Sequence, residues 1–162
     1  MILFILAIFI SAKDVTSLPL LFENDKIKAY KIHEHLWMFW IKDSTNSIFI
    51  IEGTDKSLVI DCGVKVKGLS SFIAKLTSKP QVLALTHGHR DHSASISEFN
   101  TVYMNKKDKE MLLPYTGNIT YVDDGDIIDI GDKQFQVIGM YGHTEGSIGF
   151  LDIQDKWLFT GD

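Results

Sequence analysis

The amino-acid sequence predicts one α/β or α+β domain in which sheet outweighs helix. Short apolar or alternating runs recur along the chain between Gly, Asp, Asn and Pro turn signals, the pattern of short strands. Only three stretches read as helix. The 162 residues, 45% of them hydrophobic and 23% charged, suit one domain with a real core, on a prior of roughly 100–200 residues per domain. The same composition excludes a disordered, collagen-like or low-complexity chain.

Met1–Ile10 is apolar, and Ser11-Ala12 follow before the first charges at Lys13 and Asp14. A bilayer span needs about 20 apolar residues, so residues 1–12 read instead as a signal peptide, with no stable membrane anchor. A secreted or periplasmic location follows; the alternative is a buried element of a cytoplasmic protein. In a secretory pathway Asn118-Ile119-Thr120 would be a usable glycosylation sequon. The folded domain is expected over residues 20–162.

Ile27–Ile32 and Leu36–Ile41 read as tightly joined strands, followed by the polar turn Lys42–Asn46 and the strands Ser47–Glu52 and Ser57–Ile60. Gly68–Leu76 places Leu69, Phe72, Ile73 and Leu76 at helical spacing, with Lys79-Pro80 closing it. Val82–Leu85 is a buried strand. A short helix around Ser95–Phe99 precedes the strand Thr101–Met104, and Lys106–Leu113 reads as a helix stopped by Pro114. Strands then return at Ile119–Val122, Asp126–Ile130, Lys133–Tyr141, Ser147–Asp152 and Lys156–Thr160.

The net charge of −5 is a poor footprint for binding phosphate backbones, so nucleic acid is not an expected partner. The single cysteine, Cys62, allows no internal disulfide and no thiolate cage, and reads as a small apolar residue. Any metal site must therefore use histidines and carboxylates.

Such a site is written into Thr86-His87-Gly88-His89-Arg90-Asp91-His92, directly after a buried strand, where α/β folds place ligands. In extended backbone, side chains two apart project to the same side, so His87 and His89 can grip one ion across Gly88. Asp91 and His92 can converge on a second ion only if the chain turns between the pairs. At this chain's composition the pattern HxHxDH arises by chance on the order of once in a thousand such sequences. Gly142-His143-Thr144-Glu145-Gly146-Ser147 and Phe159-Thr160-Gly161-Asp162 each end a predicted strand and could close on the same site. A third imidazole from His143 would leave an open fourth position on the first ion, the signature of a catalytic zinc, and Asp162 could bridge both ions.

These segments, with Val59-Ile60-Asp61-Cys62-Gly63 ahead of them and Asn46-Ser47-Ile48-Phe49-Ile50 further upstream, resemble the metallo-β-lactamase superfamily, in the family's order and over roughly Ile27 to Asp162. The resemblance implies a four-layer αβ/βα sandwich with a dinuclear site at the edge of two facing sheets. It implies His87, His89 and His143 on the first metal, Asp91 and His92 on the second, Asp162 between them, and Asp61 as a supporting carboxylate. The chain departs from the family at Ser93-Ala94-Ser95, where a small glycine pair is usual, and at Glu145, often a proline. Asp91-His92 with Asp162 looks more like glyoxalase II and its broad hydrolase relatives than like true β-lactamases.

The expected function is hydrolysis of a small-molecule ester, thioester or lactone by a metal-activated hydroxide, with Asp91 as the catalytic proton carrier. Two Zn2+ ions are the default, and the donor set would also accept iron or manganese. The alternatives are β-lactam or RNA phosphodiester hydrolysis within the same superfamily, or a metal-binding remnant without turnover. His33 and His35 form a second HxH but read as exposed strand ends, and Tyr30, Trp37, Phe39 and Trp40 read as core. Sandwiches of this sort commonly run to about 200–250 residues. The chain is therefore expected to be incomplete at its C-terminus, holding the first half with most of the second missing, and its sheet to present an apolar face open to self-association.

Overall fold

The computed structural model describes residues 17–44 and 46–162. The signal peptide expected over residues 1–12 lies outside them. No helix among the described residues is long and apolar enough to cross a membrane.

The larger sheet has eight strands that neighbour one another in chain order. Strands β1 (Leu20–Glu23), β2 (Ile27–His33), β3 (Leu36–Ile41), β4 (Ser47–Glu52) and β5 (Ser57–Ile60) form an antiparallel meander. From β5 onward the pairing is parallel, through β6 (Gln81–Ala84), β7 (Thr101–Met104) and β8 (Asn118–Tyr121). Parallel pairing sends the C-terminal ends of β5, β6 and β7 to one edge, and that edge carries the candidate site. The second sheet is antiparallel, in the order β12 (Leu158–Phe159), β11 (Ile148–Asp152), β10 (Gln134–Gly139), β9 (Ile127–Asp129).

Along the central strands successive residues face opposite sides, and both sides are dry. Ile50, Val59, Leu83 and Val102 pack with Leu69 and Ile73 of helix α1 (Leu69–Ile73) and with Val66, Ile96 and Phe99. Ile51, Leu58, Ile60 and Val82 pack instead with Phe135, Val137, Ile148 and Phe150 of the second sheet. Burial on both faces makes these strands continuous apolar runs rather than alternating ones. The sheet face expected to stand open is covered here by β9–β12. The fold is a sheet-rich α+β sandwich with few helices.

Three differences from the sequence expectation stand out. Strand β1 was not foreseen: Leu20 and Leu21 are about half exposed at the sheet edge, and only Phe22 reaches inward, with its ring 5.7 Å from that of Phe39. The helix expected over Gly68–Leu76 is α-helical only at Leu69–Ile73. The helix expected over Lys106–Leu113 is a 3-10 segment, Lys106–Met111, whose buried residue is Asp108 rather than an apolar one. Its run of charges has no apolar stripe to dock, and the Asn105 side chain caps it by accepting from the Lys107 amide at 3.0 Å.

Phe150 is wholly buried where the two sheets meet, so Phe150→Ala is expected to destabilise the fold by about 3–5 kcal/mol, measured by urea denaturation. Ile127→Ala, at a half-exposed position, should stay within about 0.5 kcal/mol.

Candidate metal centre

Strand β5 delivers Asp61 to the edge that carries the candidate site, and β6 delivers Thr86 and His87. Asp61 adopts a left-handed backbone conformation (φ 60°), which Asp tolerates better than most residues. Its carboxylate is buried and fully engaged. Oδ1 accepts the Thr86 amide at 2.8 Å, Oδ2 accepts the Thr86 hydroxyl at 2.8 Å, and His92 Nδ1 lies 2.8 Å from Oδ2. His87 Nδ1 lies 3.1 Å from Thr86 Oγ1. With the Thr86 hydroxyl donating to Asp61, that oxygen is left to accept from His87 Nδ1–H. One carboxylate thus fixes two imidazoles, His92 directly and His87 through Thr86, and in the neutral form of each ring it leaves the proton on Nδ1 and Nε2 free of one.

The Nε2 atoms of His87 and His92 are buried and have no hydrogen-bond partner. His92 Nε2 is 3.1 Å from Asp162 Oδ1, without hydrogen-bond alignment. Orphaned buried nitrogens of this kind are costly unless something outside the polypeptide satisfies them. The sequence turn required between the two ligand pairs is present: α2 (Arg90–Ser93) starts after His89, and the His92 and Ser93 amides both donate to the His89 carbonyl. Ser93, in the segment where the family usually has a small glycine pair, places its hydroxyl 3.1 Å from the Gly88 carbonyl and 2.9 Å from that of His89.

The loop after β10 brings His143 to this cluster, with Nε2 2.9 Å from His89 Nδ1. The segment after β12 brings Asp162, whose Oδ2 lies 3.7 Å from His143 Nε2 while Oδ1 faces His92. Gly161 permits this approach: it has φ 67°, and a Cβ there would meet Thr86 Oγ1 at 2.5 Å. Two sets of donor atoms each converge within 4.8 Å, His87–His89–His143 and His87–His92–Asp162. Imidazole and carboxylate donors with no thiolate suit a divalent cation, and the orphaned nitrogens give it a place to bind. Cys62 is buried in the apolar core, and burial pushes its thiol well above the ordinary range.

Asp91 stands at the rim, outside both sets. Its Oδ2 lies 3.8 Å from His92 Nε2 and accepts from Asn46 Nδ2 at 2.9 Å, while the same amide reaches the Asp91 carbonyl at 3.1 Å. Partial burial is the largest single influence on Asp91 and works against ionising it, but the Asn46 hydrogen bond, a backbone hydrogen bond and the nearby His92 and His87 together outweigh it and hold the carboxyl below its ordinary pKa. His33 and His35, the second HxH, lie apart from this site: His33 packs edge-on to Trp157 and His35 lies 3.7 Å from Glu52. Sequence reasoning gave Thr86 and Asn46 no role, although both sit in segments it singled out. Asp108, described below, carried no signal.

Burial disfavours the charged form of His87, and the nearby His92 adds to this, so its pKa falls and its Nε2 stays available to a cation. Burial pulls His92 the same way, but the hydrogen bond to Asp61 and the charges of Asp61, Asp162 and Asp91 outweigh it, and its pKa rises. A histidine raised in the folded state adds stability that is complete below about pH 6.5 and is lost as pH rises through the folded value. In metal-free protein the stability gap between wild type and Asp61→Asn is therefore expected to be larger at about pH 6 than at about pH 8.5. Urea denaturation at the two pH values checks this, and a gap that is flat or grows with pH contradicts the pairing.

A sequence profile of the metallo-β-lactamase superfamily matches residues 40–162. The chain is 32% identical over 122 residues to a hydroxyacylglutathione hydrolase of Francisella tularensis, covering 72% of this chain and 46% of that protein. It is 26% identical over 171 residues to the acyl-coenzyme A thioesterase MBLAC2 of Gallus gallus, covering 77% and 62%. The chain thus spans about half the length of the hydroxyacylglutathione hydrolases it matches. Among solved structures, the MIM-2 metallo-β-lactamase superposes with a TM-score of 0.66 at 19% identity, over 85% of this chain and 61% of that one. BJP-1, a subclass B3 enzyme of Bradyrhizobium japonicum, gives 0.64 at 16%, over 76% and 56%. At these identities the likeness to solved structures speaks for the fold alone. The family match, by contrast, runs through every candidate ligand from His87 to Asp162, and by it this chain belongs to the metallo-β-lactamase superfamily.

Proposed function

We propose that this chain provides the metal-binding part of a hydrolase that cleaves a small-molecule acyl thioester, or a related ester or lactone, with two divalent ions, zinc by default. In this reading His87, His89 and His143 hold one ion, His92 and Asp91 the other, and Asp162 lies between them. The observation that carries it is the convergence of the two orphaned Nε2 atoms with the His89, His143 and Asp162 donors. The substrate class is supported by the names of the curated relatives, one a hydrolase of hydroxyacylglutathione and one an acyl-coenzyme A thioesterase.

When bound, divalent ions at such a site supply a water acidic enough to ionise near neutral pH and a positive charge that polarises the scissile carbonyl. The chain's own residues supply the rest. Asp61 and Thr86 hold His87 and His92 in the tautomer that presents Nε2 inward. In this reading Asp91, half exposed and held ionised by Asn46 together with its own backbone and the neighbouring histidines, accepts the proton of the attacking water and returns it to the leaving thiolate. Asn46 restricts that carboxylate to one orientation.

The test uses full-length, metal-loaded protein against acyl-glutathione, acyl-coenzyme A, simple ester, lactone and β-lactam substrates. Thioester, ester or lactone turnover that a chelator abolishes and added divalent metal restores is the expected result. Asp91→Ala should lower kcat by about 100-fold or more. Metal-replete protein that cleaves none of these three classes would overturn the reading.

A further inference from the structure

The least expected residue near the centre is Asp108. It lies in a stretch, Lys106-Lys107-Asp108-Lys109-Glu110, that reads as solvated surface, yet it is 2% exposed. Its Oδ2 accepts the Gly88 amide at 2.8 Å and the Thr144 hydroxyl at 2.7 Å, and its Oδ1 accepts the Gly146 amide at 2.9 Å. Gly88 lies between His87 and His89, and Thr144 directly follows His143. The two loops joined here come from different sheets, one after β6 and the other between β10 and β11.

The surrounding hydroxyls are ordered to match. With Thr144 Oγ1–H committed to Asp108, the Ser147 hydroxyl at 2.8 Å donates to Thr144 Oγ1, and Ser147 Oγ accepts the Thr144 amide at 3.0 Å. Both glycines also lie close against this segment, Gly146 against the carboxylate itself and Gly88 against the Asp108 backbone and Met111. A Cβ on Gly146 would meet Asp108 Oδ1 at 2.6 Å and Cγ at 2.7 Å, and one on Gly88 would meet Met111 Cβ at 2.8 Å, the Asp108 carbonyl oxygen at 2.9 Å and Asp108 Cβ at 3.1 Å. Neither glycine has a positive φ, so each serves close approach rather than an unusual backbone conformation.

We propose that Asp108 is the positioning residue of the three-imidazole metal position, holding the His87–His89 loop and the His143 loop at the separation that lets their nitrogens share one ion. The proposal rests on the metal reading above. It accounts for the 2.9 Å approach of His89 Nδ1 and His143 Nε2, two side chains that no hydrogen bond to a supporting carboxylate otherwise aligns among the described residues. Asp61 serves His87 and His92; Asp108 serves the side of the site that Asp61 does not reach.

Cobalt binding to metal-free, full-length protein tests this, with the visible absorption of bound Co2+ as the readout and the band missing in His143→Ala marking the three-imidazole position. Asp108→Asn, which keeps the shape and turns an amide toward three donors, should weaken that position by about 10- to 100-fold. Thr144→Val should act in the same direction and Thr144→Ser should restore near wild-type binding; this pair decides the matter alone if Asp108→Asn does not fold. A purely structural role would lower the melting temperature and leave cobalt affinity unchanged, so folded variants with wild-type affinity would overturn the assignment. Wild type that binds no cobalt would overturn the metal reading along with it, whereas wild-type binding with unaltered variants overturns the Asp108 assignment alone.

Discussion

Asp61 sits at the end of β5 with its carboxylate out of water, and it can remain there because Thr86 and His92 supply its hydrogen bonds. A carboxylate in that position without partners would cost several kcal/mol, so the end of β5, the end of β6 and the first turn of α2 are tied to one another. The rest of the site follows from this tie. The Nε2 atoms of His87 and His92 face inward because their Nδ1 atoms are committed, and the cluster they form is one that protein atoms alone do not satisfy. The negative charge that raises the pKa of His92 also favours any cation at its Nε2.

The fold makes that tie possible by changing pairing within one sheet. The antiparallel meander β1–β5 builds a wide surface from local contacts, and the parallel strands β6–β8 then point their C-terminal ends to a common edge. The second sheet covers the apolar face behind that edge and brings in His143 and Asp162 on its own loops. Phe135, Val137 and Phe150 therefore do more than fill a core, since the docking they drive sets the distance between ligands from the two sheets. Asp108 acts at the same seam with hydrogen bonds, where apolar packing alone is too permissive to fix a metal geometry.

Much of this was legible in the sequence because it is local. Leu36–Ile41, Ser47–Glu52, Ser57–Ile60 and Thr101–Met104 have the bounds that their apolar runs and turn residues indicate. HxHxDH is one contiguous segment whose residue types have few other uses. What escaped is either marginal or long-range. Strand β1 is an edge strand with two outward leucines, and the Lys106–Met111 segment has neither a strand's alternation nor a helix's stripe. The contacts of Asn46 with Asp91 and of Asp108 with Thr144 span 45 and 36 residues, and no periodicity encodes such pairs. A charge-rich stretch gives no hint that one of its carboxylates turns inward, because only the two backbone amides and one hydroxyl it meets make that burial affordable.

The central claim is that loops from both sheets converge on adjoining cation positions. A crystal structure of the metal-loaded, full-length protein, with anomalous scattering measured at the metal edge, tests it most directly. The account predicts two peaks about 3.5–4 Å apart, one among His87, His89 and His143 and the other beside His92, with Asp162 between them. A single peak, or density away from these side chains, would contradict it.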